Sequence, residues 1–483
     1  MRILMISGEG PPLQRAGALI EVMNALPREL RKRGHQVSVT MPYHREIRGN
    51  SKFKAKATGI VVDVRVGDKT YVAEYFEGRS AGGVQLFLVR CDDFFDRPGI
   101  YGEHGQPYED NAARFIFFSK AALELARRLT PALQILHVHD WAAALVPVFV
   151  RAHNLPFATV LTIHHVAEQG SFWGLDFNLT NLPERFFTLD GVEFFGRLNF
   201  LKGGILYADR ITTVSEHYRR EIQTPAGGHR LDAVLRENAH RLNAILHGAD
   251  YTRWNPASDR LLPAQYDARR LRGKQTCRSA LLREMKLASA PRGPVFGMVT
   301  RVVEEKGFEV LMPLLDRLLW DDVRLIILGE GDPAYETALA IAARKFAGKF
   351  AYRKDYDEKL AHLIEAGMDV SLIPSRFEPA GLRAMYDLGY GALPAARATG
   401  GIQEIIEDYD PAMDRGYGFL CYEYSSEAFW DTIKRARDIY RDRKVWIKLM
   451  KRAMARNFSW DASARRYEEL YKGLVGATGE MAA

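Results

Sequence analysis

Short apolar runs alternate with longer amphipathic stretches from one end of the chain to the other. Arg2 to Ser7 is a continuous apolar run, the pattern of a parallel strand buried on both faces. Ile20 to Arg33 spaces its apolar residues three and four apart and predicts a helix, and Gln36 to Met41 predicts the next strand. The same beat returns at Gln85–Arg90, Ile135–Val138, Thr159–Ile163 and Arg210–Val214, which predicts an open α/β sheet with helices on both faces. From Gly248 to Arg292 the chain is quieter, with Trp254-Asn255-Pro256, Leu262-Pro263, many arginines and no clear strand. The beat then restarts, with strands predicted over Val295–Thr300, Val323–Leu328 and Val370–Ile373 and a helix over Phe308–Leu319. Two Rossmann-like domains joined near residue 247 follow from this pattern. A last amphipathic stretch, Asp461 to Val475, sets Tyr467, Leu470, Tyr471 and Leu474 on one face. The pattern alone leaves open whether it ends the second domain or crosses back to the first.

Composition narrows the class. A chain of 483 residues with 47% hydrophobic and 26% charged positions is globular and too long for one ordinary core. Lys+Arg 67 against Asp+Glu 60 leaves +7, a small excess that suits an anionic ligand better than a nucleic-acid groove. The cations of Lys434 to Arg456 are spread around helical faces, as on a solvated outer helix pair. Cys91, Cys277 and Cys421 are odd in number and far apart, so neither a disulfide framework nor a zinc ribbon is expected. The first apolar run is too short for a signal-peptide core, and no eighteen-residue apolar run exists. A cytoplasmic protein with no membrane span is expected.

Several strand ends carry chemistry. Gly8-Glu9-Gly10 invites a dinucleotide reading, but the fingerprint then needs glycine where Leu13 stands, and Pro11-Pro12 spoil the helix start. His137 and His139 share a strand face and could chelate a metal, yet Trp141 and Ala142 occupy the positions where a binuclear hydrolase needs Asp and His. The better reading is a strand end, closed by Asp140, that lines a cleft. His164 ends another predicted strand, where open α/β sheets bind their ligands. Arg301 and Lys306 flank the start of a helix, a combination that suits a diphosphate. Glu378 follows the strand ending at Ser375, Pro379-Ala380-Gly381 then opens a helix, and Thr399-Gly400-Gly401 brings backbone N–H groups within reach of a sugar or phosphate.

Taken in order, these segments resemble the bacterial glycogen synthase and plant starch synthase family of retaining glycosyltransferases. The resemblance rests on Phe95-Asp96-Arg97-Pro98-Gly99-Ile100-Tyr101-Gly102, His137-Val138-His139-Asp140-Trp141, Thr162-Ile163-His164 and Phe200-Leu201-Lys202-Gly203-Gly204-Ile205. Trp254-Asn255-Pro256, Lys306-Gly307, Tyr356-Asp357-Glu358, Pro374-Ser375-Arg376-Phe377-Glu378-Pro379, Gly381-Leu382 and Thr399-Gly400-Gly401 extend it through the second half. It implies a GT-B fold, two Rossmann-like domains facing across a cleft with a C-terminal helix returning to the first. The implied bounds are 1–246 with 457–483 crossing back on the acceptor side, and 247–456 on the nucleotide-sugar side. The implied activity moves glucose from a nucleotide sugar, usually ADP-glucose, to the non-reducing end of an α-1,4-glucan with retention, and needs no metal or other cofactor. By position, Arg301 and Lys306 would neutralise the leaving diphosphate, His164 and Asp140 would contact the transferred glucose, and Glu378 would stabilise charge at the anomeric carbon. Tyr356 would stack on the base. Arg15, Gly17, Gly381, Leu382, Thr399, Gly400 and Gly401 would complete the nucleotide-sugar site.

The departures fall in ligand-facing loops. The family's Lys-x-Gly-Gly-Leu reads Arg15-Ala16-Gly17-Ala18-Leu19, its Cys-Gly-Leu-Thr-Gln reads Ala380-Gly381-Leu382-Arg383-Ala384, and its Asn-Gly-Ile-Asp reads His247-Gly248-Ala249-Asp250. They define an alternative, a weakly active or inactive paralogue that binds glucan or nucleotide sugar in a regulatory role. A phosphorylase with a lysine-bound pyridoxal group finds no motif here.

Overall fold

A computed structural model describes residues 1–13, 18–103, 105–289 and 292–481. The expected Arg15 and Gly17 lie outside the described residues. The chain forms two compact units, one of Met1–His247 with Trp460–Ala483 and one of Gly248–Ser459.

The first unit is built on a nine-stranded sheet among the described residues. Its order runs Leu242–Ala244, Arg210–Thr213, Ala158–Ile163, Ile135–His139, Arg2–Ser7, Gln36–Pro42 and Gln85–Arg90, all parallel, and then Lys69–Arg79 and Lys56–Val66. The last two form an antiparallel hairpin that the apolar pattern did not predict. The reason is physical. Only one face of that hairpin is covered, so its residues alternate between exposed and buried instead of running apolar. The strands of the central sheet are buried throughout, which is why they read as unbroken apolar runs.

The C-terminal helix, Trp460–Met481, belongs to this unit. Trp460, Ala464, Tyr467, Tyr471 and Leu474 recur every three or four residues and join one core cluster with Val22, Met23, Leu26 and Leu30 of the Ala18–Lys32 helix. Glu468 closes the edge of that seam, meeting Arg33 Nε at 2.7 Å and Lys472 Nζ at 2.8 Å.

The second unit holds a six-stranded sheet, all parallel, in the order Phe350–Arg353, Arg324–Leu328, Val295–Val299, Val370–Ile373, Leu393–Arg397 and Phe419–Cys421. One expectation needs correction here. The single helix expected over Phe308–Leu319 is broken into Phe308–Leu311, a tight turn at Met312–Leu314 and Leu315–Trp320, because Pro313 has no N–H to continue the ladder. The quiet stretch before residue 292 contains a helix, Arg272–Glu284, pinned by buried Lys274, whose Nζ donates to the Ala366, Met368 and Tyr390 carbonyls. In both sheets the parallel strands put their carboxyl ends on one edge, and loops leaving that edge carry the candidate residues.

Candidate functional site

In the first unit, the Ile135–His139 strand runs directly into Asp140. The Asp140 N–H donates to the Thr162 carbonyl at 3.0 Å, extending the sheet by one step. Its carboxylate Oδ1 then accepts from the His164 N–H at 2.7 Å and the His165 N–H at 3.4 Å. Asp140 thereby splints the neighbouring strand end and brings the two predicted residues together. Its backbone stands at φ 54, ψ −174, a region that belongs almost only to glycine and costs about 1–3 kcal/mol for other residues. Burial pushes its carboxyl well above the usual carboxylate range, against the His164 amide bond, and the charges of Glu168 and Glu9 push the same way as burial. The side chain is a buried carboxyl in a strained, fixed position.

His164 is also held from the side. Its Nε2 lies 3.0 Å from His139 Nδ1, so one ring donates and the other accepts, and the two tautomers are tied together. The rings continue into a column. His137 and His139 have centroids 4.1 Å apart, His139 and His164 5.3 Å, His164 and His247 5.0 Å, and His247 and Trp460 5.3 Å. Thr162 Oγ1 at 2.6 Å from His137 Nε2 and the Tyr471 hydroxyl at 2.7 Å from His137 Nδ1 fix its inner end. Burial alone drives His137 and His247 down to about 3, and burial also carries His139 and His164 well below the ordinary histidine value. All four rings are neutral at neutral pH. The spacing of His137 and His139 raised a metal reading, but both His137 nitrogens meet hydroxyls and His139 Nδ1 is paired with His164. Among the described residues no three His, Cys, Asp or Glu side chains converge to hold a metal.

Gly8, in the first βα loop, has a different job from a phosphate glycine. A Cβ there would stand 2.8 Å from the Ala142 Cβ and 2.9 Å from the Tyr101 hydroxyl oxygen, so the glycine lets the loop lie against the Asp140-Trp141 turn. His44 Nε2, 2.9 Å from the Gly8 carbonyl, holds the loop there.

In the second unit the corresponding edge is charged. Lys306 ends a tight turn and is followed by Gly307 at φ 78, where a Cβ would stand 2.1 Å from the Pro374 carbonyl oxygen. That contact sets Lys306 beside the loop after the Val370–Ile373 strand, and its Nζ meets Glu378 Oε2 at 2.7 Å. Ser375 Oγ donates to the same oxygen at 3.0 Å. Arg301 leaves the next strand and is exposed, within 3.7 Å of Glu305. Tyr356 leaves the Phe350–Arg353 strand with its side chain partly open to solvent. Arg301, Lys306, Tyr356, Glu378 and the Thr399–Gly401 loop therefore leave one sheet edge.

The glycines there hold the loops together. The Gly401 N–H is spent on the Glu378 and Pro379 carbonyls, each at 3.0 Å, and a Cβ on Gly400 would stand 2.3 Å from the Glu378 carbonyl oxygen. Gly400 and Gly401 thus clamp the Glu378 loop by backbone contact, and the Gly401 amide is directed at protein. Gly381, at φ 67, caps the Leu382–Gly389 helix against Ile402 and Ile405, and Leu382 is buried. A cavity of about 50 Å³ beneath Lys306 and Glu378 reaches Ser371, Arg383 and Asp387.

Comparison with known proteins places this arrangement. Residues 2–237 match the starch synthase catalytic domain family, and residues 284–452 match glycosyl transferases group 1. The chain is 42% identical over 482 residues to a glycogen synthase of Anaeromyxobacter sp., covering 98% of this chain and 100% of that one. It is 40% identical over 479 residues to a glycogen synthase of Koribacter versatilis, covering 98% of each. The chain belongs to the glycogen synthase family. The catalytic domain of starch synthase IV from Arabidopsis thaliana, solved bound to ADP and acarbose, aligns with a TM-score of 0.91 at 30% identity over 98% of this chain and 99% of that one. A sucrose-phosphate synthase from Thermosynechococcus elongatus, 16% identical with a TM-score of 0.64 over 99% of each chain, shares the fold alone. This glycogen synthase family member is a glycosyltransferase with the GT-B fold.

Its departures from the family pattern now have locations. Arg383 turns inward, where its guanidinium meets buried Glu365 at 2.9 Å and lies 5.2 Å over the Trp254 ring. His247 takes its place in the histidine column. Sequence reasoning missed the electrostatic partners of Asp140, namely Glu9 and Glu168, and the role of His139 in fixing His164. The chain separations, 25 residues between His139 and His164 and 24 between Asp140 and His164, are the signature of adjacent parallel strand ends. That spacing could have pointed to them.

Proposed function

We propose that this chain transfers glucose from ADP-glucose to the non-reducing end of an α-1,4-glucan, with retention, in the cytoplasm. The carrying observation is the Lys306–Glu378 pair, 2.7 Å apart on the carboxyl edge of the second sheet, in a chain that aligns end to end with glycogen synthases. In this reading the second unit takes the donor. Arg301 and Lys306 receive the charge of the departing diphosphate, and Tyr356 covers the base. Leaving-group charge that meets a fixed cation lowers the barrier because the cation is already in place. Glu378, held by Lys306 and Ser375, faces the developing positive charge of the sugar. Donor binding draws Lys306 toward phosphate and frees one Glu378 oxygen for that task.

The first unit takes the transferred sugar through Asp140 and His164. Asp140 and His164 are both held in place by hydrogen bonds and act as oriented hydrogen-bonding groups. They can hold sugar hydroxyls. In this reading the reaction needs no metal. The described residues contain no helix long and apolar enough to cross a membrane.

The test is release of ADP from ADP-glucose with and without glycogen, with UDP-glucose as the competing donor, and the anomeric configuration of the product read by proton NMR. The expected result is glycogen-dependent ADP release and an α-linked product. Equal or faster turnover of UDP-glucose would overturn the donor assignment, and a β-linked product would overturn retention. The regulatory alternative predicts binding without turnover, so the same assay separates it.

A further inference from the structure

Between the strand that ends at His164 and the Phe200–Tyr207 helix, the chain builds a small sheet of its own, Ser171–Trp173, Arg197–Asn199 and Glu193–Phe194. Its register pairs Trp173 with Arg197 and Arg197 with Phe194, which sets the three side chains in one row on one face. The opposite face carries Phe172, packed on Trp141 and Phe200 with centroids 5.8 and 4.9 Å apart, and buried Leu198. The inner face is thus seated on the residue that follows Asp140. The outer face is open.

Two features of that outer face are costly to folding, although the Arg230 guanidinium lies 5.7 Å over the Phe195 ring and Phe194 meets that ring edge-on at 4.7 Å. Trp173 is 64% exposed and Phe195 71% exposed, although aromatic rings are among the side chains most rewarded by burial. Phe195 also stands at φ 50, followed by Gly196 at φ 75, in a two-residue hairpin turn where Asn or Gly is favoured and a bulky ring is strained. The turn is held close to Trp173, since a Cβ on the adjoining Gly174 would lie 2.5 Å from the Gly196 carbonyl oxygen. The platform beneath is rigid. Lys202, buried, donates from Nζ to the Leu189, Gly191 and Glu193 carbonyls at 2.5, 2.9 and 2.6 Å. Arg197 is exposed but splinted, with Nε 3.0 Å from Ser171 Oγ and a terminal nitrogen 3.1 Å from the Ser171 carbonyl oxygen.

We propose that this face is a binding platform for an α-glucan chain, with Trp173, Phe194 and Phe195 stacking on sugar rings and Arg197 donating to hydroxyls between them. The chemistry selects a sugar chain over a protein partner. A glucan presents weakly apolar ring faces alternating with hydroxyl edges, and the row alternates ring, fixed guanidinium, ring. Trp173 and Phe194 lie two strand spacings apart, about 10 Å, so sugars two apart along the chain can engage each, with Arg197 facing the sugar between them. The platform is also continuous with the Asp140 strand end through Trp141 and Phe172. The proposal rests on the reading of an α-glucan as acceptor and adds a second place where that polymer is held.

The test uses the full chain with Trp173→Ala combined with Phe195→Asn, because asparagine accepts the left-handed turn and keeps the hairpin. Mobility in native gels containing glycogen, with thermal melting as control, should show retention weakened about tenfold or more in the double variant at unchanged melting temperature. The KM for glycogen should rise by a similar factor, while turnover and KM with maltotriose and with ADP-glucose stay put. Unchanged glycogen retention overturns the proposal. So does an equal loss with maltotriose, which would place these rings at the reacting end. Wild-type self-association that the variant abolishes, with glycogen retention intact, would make the face a contact between copies and overturn it too. If wild-type enzyme releases no ADP at all, the proposed function fails, and the gel assay still decides the platform on its own.

Discussion

The two sheet edges carry polar groups of opposite character. At the edge of the first unit, Asp140, His139 and His164 are buried, and their ordinary ionisations are suppressed by desolvation. At the edge of the second, Lys306 and Glu378 are partly exposed and face each other as an ion pair. One edge is organised by hydrogen-bond geometry in a dry setting, the other by charge. The difference suits a transfer in which a neutral sugar and a charged diphosphate part company. The comparison can be broken by changing charge at each edge and asking which change matters.

The largest effect is expected in the second unit. Lys306→Ala and Glu378→Gln should each lower kcat on the order of a hundredfold or more, the usual cost of removing one preorganised electrostatic group. Glu378→Gln keeps the shape and can still accept from Ser375 and Lys306, so its melting temperature should move by only a few degrees. Steady-state kinetics alongside differential scanning calorimetry would check both. Near-normal kcat in both variants would take the reaction away from this pair.

Asp140→Asn should be much milder, within about tenfold in kcat/KM, or about 1.4 kcal/mol. Asparagine keeps the shape of the side chain, retains an oxygen for the His164 N–H, and suits a positive φ better than most residues. Asp140→Ala, which removes the splint, should lose far more. If Asp140→Asn is as damaged as Glu378→Gln, Asp140 works as an anion and the contrast between the edges collapses.

How much of this was legible follows from the same contrast. Fully buried parallel strands announce themselves, so Ile135–Val138 and Thr159–Ile163 were visible, and with them the strand-end positions of Asp140 and His164. The Lys56–Arg79 hairpin was missed although Gly67-Asp68, with Gly67 at φ 61, is a recognised two-residue turn signal between alternating runs. Pro313 likewise carried the information that its helix must break. The histidine column was not legible, because His247 lies in a loop 83 residues after His164 and joins it only through packing around Trp460. The aromatic platform was hidden for a related reason. An exposed tryptophan and a buried one look the same in a sequence.

The histidine column sharpens the comparison through pH. His137 and His247 sit near 3 when folded and near 6.5 when unfolded. Between those values the unfolded chain binds more protons, so stability is full above about pH 6.5 and falls as pH drops toward 3. Each histidine contributes a slope of up to about 1.4 kcal/mol per pH unit. His247→Asn, which restores the residue usual in the family, should flatten the acid side of a melting-temperature profile taken from pH 7 to pH 4.5. An unchanged slope would mean that His247 is not neutral and dry in the folded protein.

The smallest effect belongs to the seam that ties the C-terminal helix to the first unit. Hydrogen bonds from Lys472 and Arg33 hold the Glu468 carboxyl down to about 2, below its ordinary value of 4.5. A depressed carboxylate stabilises the fold above the unfolded pKa and loses that contribution as pH falls from about 4.5 through 2. This window lies below most of the histidine window, so the two can be separated in one titration. Lys472 is largely exposed and Arg33 partly so, and solvent screening keeps the contribution of these pairs small. Glu468→Gln should therefore lower the melting temperature by a few degrees at pH 7 and by less as pH approaches 3, leaving kcat untouched. A drop of equal size at both pH values would show that Glu468 acts through packing against His35 and Arg33, and the charge at this seam would then be incidental.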